Sequence, residues 1–185
     1  MARLIYSAIA SLDGYTVDEH GDFSWCAPDE EVHAFVNDLE RPVGTYLYGR
    51  RMYHVMRYWE TVDLTGASAA HRDYAELWRV AEKVVWSRTL DRVDTERTRL
   101  ERDLDPDAVR RLADAAERDV SIGGPTLAAP IVRAGLVDDL HLILAPVLVG
   151  GGTRALPDDV RRDLELVDHR AFDSGFVHLH HRVRR

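Results

Sequence analysis

Three short segments of the sequence carry residues that could bind phosphate groups, each directly after an apolar, strand-like stretch. They are Gly49-Arg50-Arg51, Ser87-Arg88-Thr89 and Gly123-Gly124-Pro125-Thr126. Glycine allows a ligand to approach the backbone closely, and proline presets the first turn of a helix. Free N–H groups and a positive dipole end at such a helix start favour an anion, and arginine adds a charged fork that fits phosphate.

Each segment alone also fits an ordinary turn, with solvated arginines or with glycines that serve only helix packing. Together they are more specific, because ligands of open α/β sheets bind outside the carboxyl ends of the strands, where all three segments would lie. Two anion sites and a separate monoester site match a dinucleotide with an extra 2′-phosphate. Losing one charge-assisted contact costs about 1.5–3 kcal/mol, roughly 10- to 150-fold in affinity. Ser87 and Arg88 therefore predict a preference for NADPH over NADH.

Strand-like and helical stretches alternate along the chain and must position these segments. The predicted strands are Leu4–Ser11, Thr45–Tyr48, Lys83–Ser87, Thr98–Arg102, Val120–Ile122, Leu140–Val149, Glu165–Phe172 and Phe176–Val183. The predicted helices are Asp29–Leu39, Arg50 to about Arg57, Ser68–Ala81, Asp105 to about Arg118, and Thr126–Ala134, with Asp105 as a cap before Pro106 and Gly135 as a left-handed stop.

This alternation predicts an α/β fold with a mostly parallel, mixed central sheet that is flanked by helices. The last two strands follow each other through Asp173-Ser174-Gly175, so they should form a C-terminal antiparallel hairpin. We found no repeat or linker, and we expect a single domain over residues 1–185.

Composition narrows the class of protein. The net charge of −8 disfavours a nucleic-acid partner, because such binding depends on neutralising phosphates. The single cysteine, Cys26, excludes an internal disulfide and the Cys-x-x-Cys pair of a zinc nucleobase deaminase. No apolar run approaches the length of a membrane span, so we expect a cytoplasmic enzyme that acts on a small-molecule substrate.

Two further patterns resemble ligand-binding motifs without meeting their requirements. Gly150-Gly151-Gly152-Thr153-Arg154-Ala155 fits a dinucleotide fingerprint by letter, but it should not open a helix within a βαβ unit, so we interpret it as a loop near the active site. His178 and His180 share one face of the last strand. Two histidines without a third ligand do not make a metal site, and we expect them in solvent or at an interface.

Several motifs, in order, resemble the reductase domain of riboflavin biosynthesis, the RibD C-terminal domain, which has the dihydrofolate reductase fold. They are Ser11-Leu12-Asp13-Gly14, Gly49-Arg50-x-x-Tyr53, Ser87-Arg88-Thr89, Ile122-Gly123-Gly124, Gly135-Leu136-Val137-Asp138-Asp139-Leu140 and Pro146-Val147-Leu148-Val149-Gly150. The resemblance implies NADPH as cofactor, and a homodimer. It implies that the nicotinamide is bordered by Ala8, Asp13 and Gly14, the pyrophosphate by Gly49, Arg50, Gly123, Gly124 and Thr126, and the adenosine phosphate by Ser87 and Arg88.

The sequence offers several candidates for the proton donor. Dihydrofolate reductase uses a carboxylate of its first helix, and here spacing from Trp25 and Pro28 resembles that pattern best at Glu30. On the helix wheel, Glu30 lies about 170° from the centre of the apolar stripe, and Glu31 lies about 90° from it. Glu31 also shares a face with Phe35. We favour Glu31, with Glu30 or a water as alternatives and Asp13 as a further catalytic candidate, although acids also simply favour a helix start.

The sequence therefore predicts an NADPH-dependent reductase. Its substrate would be a small pteridine- or pyrimidine-like heterocycle, or a sugar-derived carbonyl or imine, packed near Trp25 and Phe35. The alternatives are a true dihydrofolate reductase and a domain that binds NADPH as a sensor without catalysis. No metal is expected.

Overall fold

A computed structural model of the protein describes residues 2–184. The strands, numbered along the chain, are β1 (Leu4–Ser11), β2 (Tyr15–Val17), β3 (Val43–Gly49), β4 (Glu82–Trp86), β5 (Thr98–Glu101), β6 (Asp119–Gly123), β7 (Asp139–Ala145), β8 (Thr153–Arg154), β9 (Leu164–Ala171) and β10 (Val177–Val183). Eight of them form one sheet in the order β5-β4-β3-β6-β1-β7-β10-β9. The helices are α1 (Glu30–Glu40), α2 (Arg50–Met56), α3 (Tyr58–Thr61), α4 (Ala69–Val80), α5 (Pro106–Ala115) and α6 (Pro125–Arg133).

The sheet is mixed, as the sequence predicts. Its six strands from β5 to β7 pair in parallel, whereas β10 runs antiparallel to both β7 and β9. The predicted α/β class and the C-terminal hairpin are therefore confirmed. None of the helices between residues 2 and 184 is long and apolar enough to cross a membrane.

Side chains alternate between the two faces of the sheet and build the core on both sides. On one face, Tyr6, Leu47 and Ile122 pack with the apolar residues of α5 and α6. On the other face, Tyr48 of β3 packs with Trp78 of α4. A third cluster lies under α1 and joins it to β7 and to the end of the C-terminal hairpin.

Several predicted boundaries are wrong for identifiable reasons. Strand β7 ends at Ala145 instead of Val149, because Pro146 has no N–H group for the ladder. The pair β2–β8 was missed, since two or three residues show no alternation.

The predicted helix caps are confirmed. The Asp105 carboxylate accepts the N–H of Asp107 at the start of α5, and Gly135 adopts φ +68° after α6.

The expectation for the histidines of the last strand is wrong. His178 is buried, and its Nε2 lies 3.0 Å from Nδ1 of His141, a β7 residue that the sequence analysis did not single out. His180 stacks on His141 and bonds Asp139 at 2.8 Å. Burial lowers the pKa of His141 to about 3 and that of His178 to about 4, so both rings are neutral packing groups at neutral pH. Cross-strand pairing between β7 and β10 placed them inside, which spacing along one strand does not reveal.

Candidate active site

Strand register brings the three phosphate-type segments to one edge of the sheet. Tyr48 of β3 pairs with Gly123 of β6, and Gly49 pairs with Trp86 of β4. The residues that follow these three strands therefore start side by side. Since neighbouring strands are about 4.8 Å apart, Gly124 and Ser87 flank the start of α2 at roughly 10 Å from each other. The expected clustering of the three junctions is confirmed.

The two helices that start at this edge differ in their capping from the three longest helices, α1, α4 and α5. At the start of each of α1, α4 and α5, a side chain accepts an N–H group of the first turn. These capping side chains belong to Asp29, Ser68 and Asp105, respectively. Helices α2 and α6 begin after Gly49 and Gly124, with no side-chain cap. Their first-turn donors therefore remain available for an external acceptor, such as a phosphate oxygen.

The glycine pair before α6 is required by close packing. A Cβ at Gly123 would lie 2.6 Å from Cε1 of Tyr48, and Gly124 has φ +91°. A Cβ at Gly49 would lie 3.8 Å from Cβ of Leu127, so the starts of α2 and α6 are adjacent. The bare backbone at this place forms a cradle between two helix starts. Both functions proposed for the glycines, packing and ligand approach, are compatible with this geometry.

The charged residues at these helix starts are accessible. Arg50 and Arg51 are exposed, and within residues 2–184 neither forms a salt bridge. Pro125 occupies the first position of α6, and the Thr126 side chain is exposed beside it. This edge therefore combines free N–H donors with unpaired positive charge.

The segment after β4 is more constrained than the sequence suggests. The Ser87 hydroxyl oxygen accepts the N–H groups of Thr89 and Leu90, at 3.3 and 3.0 Å, so it shapes the turn. Arg102, which sequence analysis missed, donates to the carbonyl oxygens of Ser87 and Leu90 at 3.1 and 2.6 Å. Arg88 is exposed and pairs with Asp103. The Arg88 guanidinium is thus the group of this loop best placed for an external anion.

The motif residue Tyr53 acts as a support for the same loop. Its hydroxyl donates to the Asp94 carboxylate at 2.6 Å and accepts the Asp94 N–H at 2.9 Å. Arg57 pairs with the other carboxylate oxygen at 3.0 Å. These bonds tie α2 to the segment between β4 and β5.

Strand β1 has an open edge beside the glycine cradle. Its pairing with β6 ends at Ser7 opposite Gly123, whereas its pairing with β7 continues to Ser11 opposite Ala145. The stretch from Ala8 onward therefore has no strand on its β6 side. A flat polar group placed there can meet backbone donors and acceptors directly.

An apolar surface borders this edge on the α1 side of the sheet. Trp25 and Phe35 are half-buried and pack against the same core cluster as Ile9 of β1 and Val36 of α1. The structure thus brings together the two residues predicted to contact the substrate. Trp25 is oriented by its indole N–H, which donates to the carbonyl of Asp22 at 3.1 Å.

Asp13 holds a loop. Its carboxylate oxygens accept the N–H groups of Val149 and Gly150, at 3.2 and 2.8 Å. A hydrogen bond from the Ser11 hydroxyl and these backbone bonds lower the pKa of Asp13. Gly14 has φ +90°, and its carbonyl accepts the N–H of Ala155. The glycine loop around residues 150–152 is thus fastened next to the end of β1, and it opens no helix, as predicted.

Both acids in the first turn of α1, Glu30 and Glu31, are engaged with protein partners. The Glu30 carboxylate accepts the Ala70 N–H at 3.1 Å, and hydrogen bonds from the Ser68 hydroxyl and this N–H lower its pKa. Glu31 pairs with Arg170 of β9 at 2.7 Å. The Arg170 guanidinium also lies over the Phe35 ring, 5.2 Å from its centroid, so Glu31 and Phe35 do share a face. Between residues 2 and 184, no group of three histidine, cysteine or acidic side chains is arranged to hold a metal.

The fold defines the class of protein as an α/β domain with a mostly parallel, mixed sheet that ends in an antiparallel hairpin. The sequence profile described as the RibD C-terminal domain matches residues 2–178, and the chain belongs to this family. It is 27% identical over 186 residues to the uncharacterised protein YyaP of Bacillus subtilis (strain 168), with 96% of this chain and 93% of that protein covered.

Solved structures show the same fold at low sequence identity. A putative riboflavin biosynthesis protein from Shewanella sp. PV-4 matches with a TM-score of 0.77 at 18% identity, over 100% of both chains. A diaminohydroxyphosphoribosylaminopyrimidine deaminase/5-amino-6-(5-phosphoribosylamino)uracil reductase from Thermotoga maritima matches with a TM-score of 0.69 at 15% identity. That match covers 99% of this chain and 57% of the longer protein.

Proposed function

We propose that this protein is an NADPH-dependent reductase of a small, electron-poor substrate. The observation that carries the proposal is the alignment of three donor-rich segments at the carboxyl edge of β6, β3 and β4. The pyrophosphate would be held by the uncapped starts of α2 and α6 together with Gly49, Arg50, Arg51, Gly123, Gly124, Pro125 and Thr126. The 2′-phosphate would be bound by Arg88, on the turn that Ser87 shapes.

The nicotinamide end fits the open edge of β1. Ala8 is the first residue of β1 beyond the pairing with β6, so a ring can approach the strand there from the side without a neighbouring strand, and Gly14 gives close access at φ +90°. Asp13 positions the loop at 150–152, which then covers this end of the sheet. When bound, NADPH supplies a hydride, and the protein supplies placement and exclusion of water.

The substrate would pack on the apolar surface of Trp25, Phe35 and Ile9. Its class is a pteridine- or pyrimidine-like heterocycle, or a sugar-derived carbonyl or imine, because an electron-poor C=N or C=O carbon must face the hydride. Glu30 and Glu31 are both committed to protein partners, and the pKa of Asp13 is lowered. A water is therefore our choice of proton donor. The same commitment of the α1 acids disfavours a true dihydrofolate reductase.

The proposal is tested by NADPH oxidation against a panel of dihydrofolate, aminopyrimidine ribosyl compounds and sugar lactones. We expect turnover with at least one heterocyclic or sugar-derived acceptor and little with dihydrofolate. NADPH binding without oxidation by any acceptor would favour the sensor alternative instead. Efficient turnover of dihydrofolate would overturn our choice of substrate class.

We also propose that the protein assembles as a homodimer. Every residue of β9 is exposed, and Leu164, Leu166 and Val167 are 39%, 53% and 42% exposed on this edge strand. Exposed apolar edge strands are sites of pairing between chains. We propose that the C-terminal hairpin forms the contact with a second copy.

A further inference from the structure

A guanidinium and a carboxylate are in direct contact at the exposed edge beyond β4 and β5. Arg88 follows β4, Asp103 follows β5, and the N–H of Ser87 donates to the carbonyl of Glu101 between them. Nε and Nη2 of Arg88 both lie 2.7 Å from Oδ1 of Asp103. The two side chains are 79% and 71% exposed, so a ligand can reach both of them.

We propose that Asp103 is a specificity-determining residue that weakens the discrimination between NADPH and NADH, so that the chain accepts both cofactors. The inference rests on the proposed function, because it assumes that the adenosine end of the dinucleotide lies at Arg88. It goes beyond that function because it assigns a role in cofactor choice to Asp103. The carboxylate of Asp103 is negative, whereas a 2′-phosphate is bound by positive groups.

The first argument is electrostatic. Asp103 occupies the Nε and Nη2 side of the Arg88 guanidinium, and Nη1 remains for another acceptor. A phosphate dianion that binds these remaining donors also meets the negative charge already in place. Like charges this close repel, even when solvent screens them.

The opposing argument is that the ion pair with Asp103 orients Arg88 and so favours phosphate binding. Holding an exposed arginine in place by an ion pair contributes little, because both side chains lose rotamer freedom and water screens the attraction. The repulsion of the dianion therefore outweighs the gain in orientation. The neighbouring guanidinium of Arg102 does not offset this repulsion, because it is used to hold the carbonyl groups of Ser87 and Leu90.

NADH places a hydroxyl group where NADPH has a phosphate. A carboxylate accepts a hydrogen bond from such a ribose hydroxyl, which is how many dinucleotide sites recognise NADH. Arg88 and Asp103 thus form a matched pair, in which the guanidinium suits the phosphate and the carboxylate suits the hydroxyl. The wild-type site should serve both cofactors with similar affinity.

Calorimetric titration of NADPH and NADH into the wild-type protein and the Asp103→Asn variant tests this. We expect the two wild-type dissociation constants to agree within about tenfold. The variant should bind NADPH roughly three- to tenfold more tightly, with NADH unchanged or weaker, and the gain should shrink in high salt.

Asp38→Asn is the matched control. Asp38 is also 71% exposed and pairs with an arginine, Arg41, but it lies in the last turn of α1, which leads into the first residue of β3 and not to its carboxyl end. The Asp38→Asn change removes the same charge and should alter the affinity for neither NADPH nor NADH.

Three outcomes would overturn the inference. If both cofactors bind and Asp103→Asn leaves their ratio unchanged, Asp103 has no such role, while the proposed function stands. If Asp38→Asn shifts the ratio as much, the effect comes from net charge and not from this position. If neither cofactor binds the wild-type protein, the proposed function fails and this inference fails with it.

Discussion

The Asp13 carboxylate accepts the backbone N–H of Gly150 at 2.8 Å, although the two residues are 137 positions apart. This bond joins the turn after β1 to the glycine loop after β7. It assigns Asp13 a positioning role, because a carboxylate that accepts two N–H groups and a hydroxyl is stabilised in its ionised form.

We predict that Asp13→Ala lowers kcat more than it weakens NADPH binding, because the loop loses its anchor while the phosphate cradle stays intact. The glycine loop should also become more sensitive to limited proteolysis. The pH profile of kcat should keep its shape in Asp13→Asn. An acidic limb that disappears in this variant would instead identify Asp13 as a proton donor.

The glycine loop offers a second test through two adjacent residues. Gly152 has φ +125°, and a Cβ there would overlap the carbonyl oxygen of Val17, whereas a Cβ at Gly151 meets nothing within 4 Å. Gly152→Ala should destabilise the protein by about 1–3 kcal/mol and reduce turnover, because the β2–β8 contact must shift. Gly151→Ala is the control and should melt near the wild-type temperature. Equal melting temperatures for the two variants would refute the close approach.

Glu40 should make stability depend on pH. Burial raises its pKa to about 7, Oε2 has no hydrogen-bond partner, and the groups that face it are Tyr46, Tyr48 and Tyr74. Because the folded pKa exceeds the unfolded value near 4.5, the folded state binds the proton more tightly. The stabilisation is complete below about pH 4.5 and is lost as the pH rises through about 7, by up to roughly 3 kcal/mol.

Denaturant unfolding between pH 4.5 and 8 measures this effect. The free energy of unfolding of the wild-type protein should fall with pH relative to that of Glu40→Gln. Glu76→Gln, an exposed change of the same kind on α4, should follow the wild-type curve. Parallel curves for wild type and Glu40→Gln would contradict a raised pKa.

The proposed dimer contact is tested on β9. Leu166→Arg should shift the protein from dimer to monomer in size-exclusion chromatography with light scattering, because the charge would be buried in the contact. Val80→Arg, at a 62% exposed apolar residue of α4, is the control and should leave the mass unchanged. A monomeric wild-type protein would remove the basis for this contact.

The features that could be predicted from the sequence are those with local causes. Gly124 and Pro125 mark a helix start by their own backbone preferences, and the alternation of strands and helices implies that Gly49, Ser87 and Gly123 share an edge. In the structure, the parallel pairing of β3 with β4 and β6 aligns the ends of the three strands, as this prediction requires.

The features that were missed depend on contacts between distant segments. Spacing along α1 could not show that Arg170 neutralises Glu31, or that Ala70 and Ser68 engage Glu30. The buried pair of His141 and His178 depends on the register of β7 and β10. Asp103 stood in a charged stretch with no pattern, and only the pairing of β4 with β5 brings it to Arg88.

The central claim is that this sheet edge binds a phosphorylated nicotinamide dinucleotide, and calorimetric titration of NADPH tests it most directly. We predict saturable uptake of one NADPH per chain by the wild-type protein. Arg50→Ala and Arg88→Ala should each weaken it about tenfold or more, since each removes a charge-assisted contact. Absence of measurable uptake by the wild-type protein, or affinities in both variants equal to that of the wild type, would contradict the account.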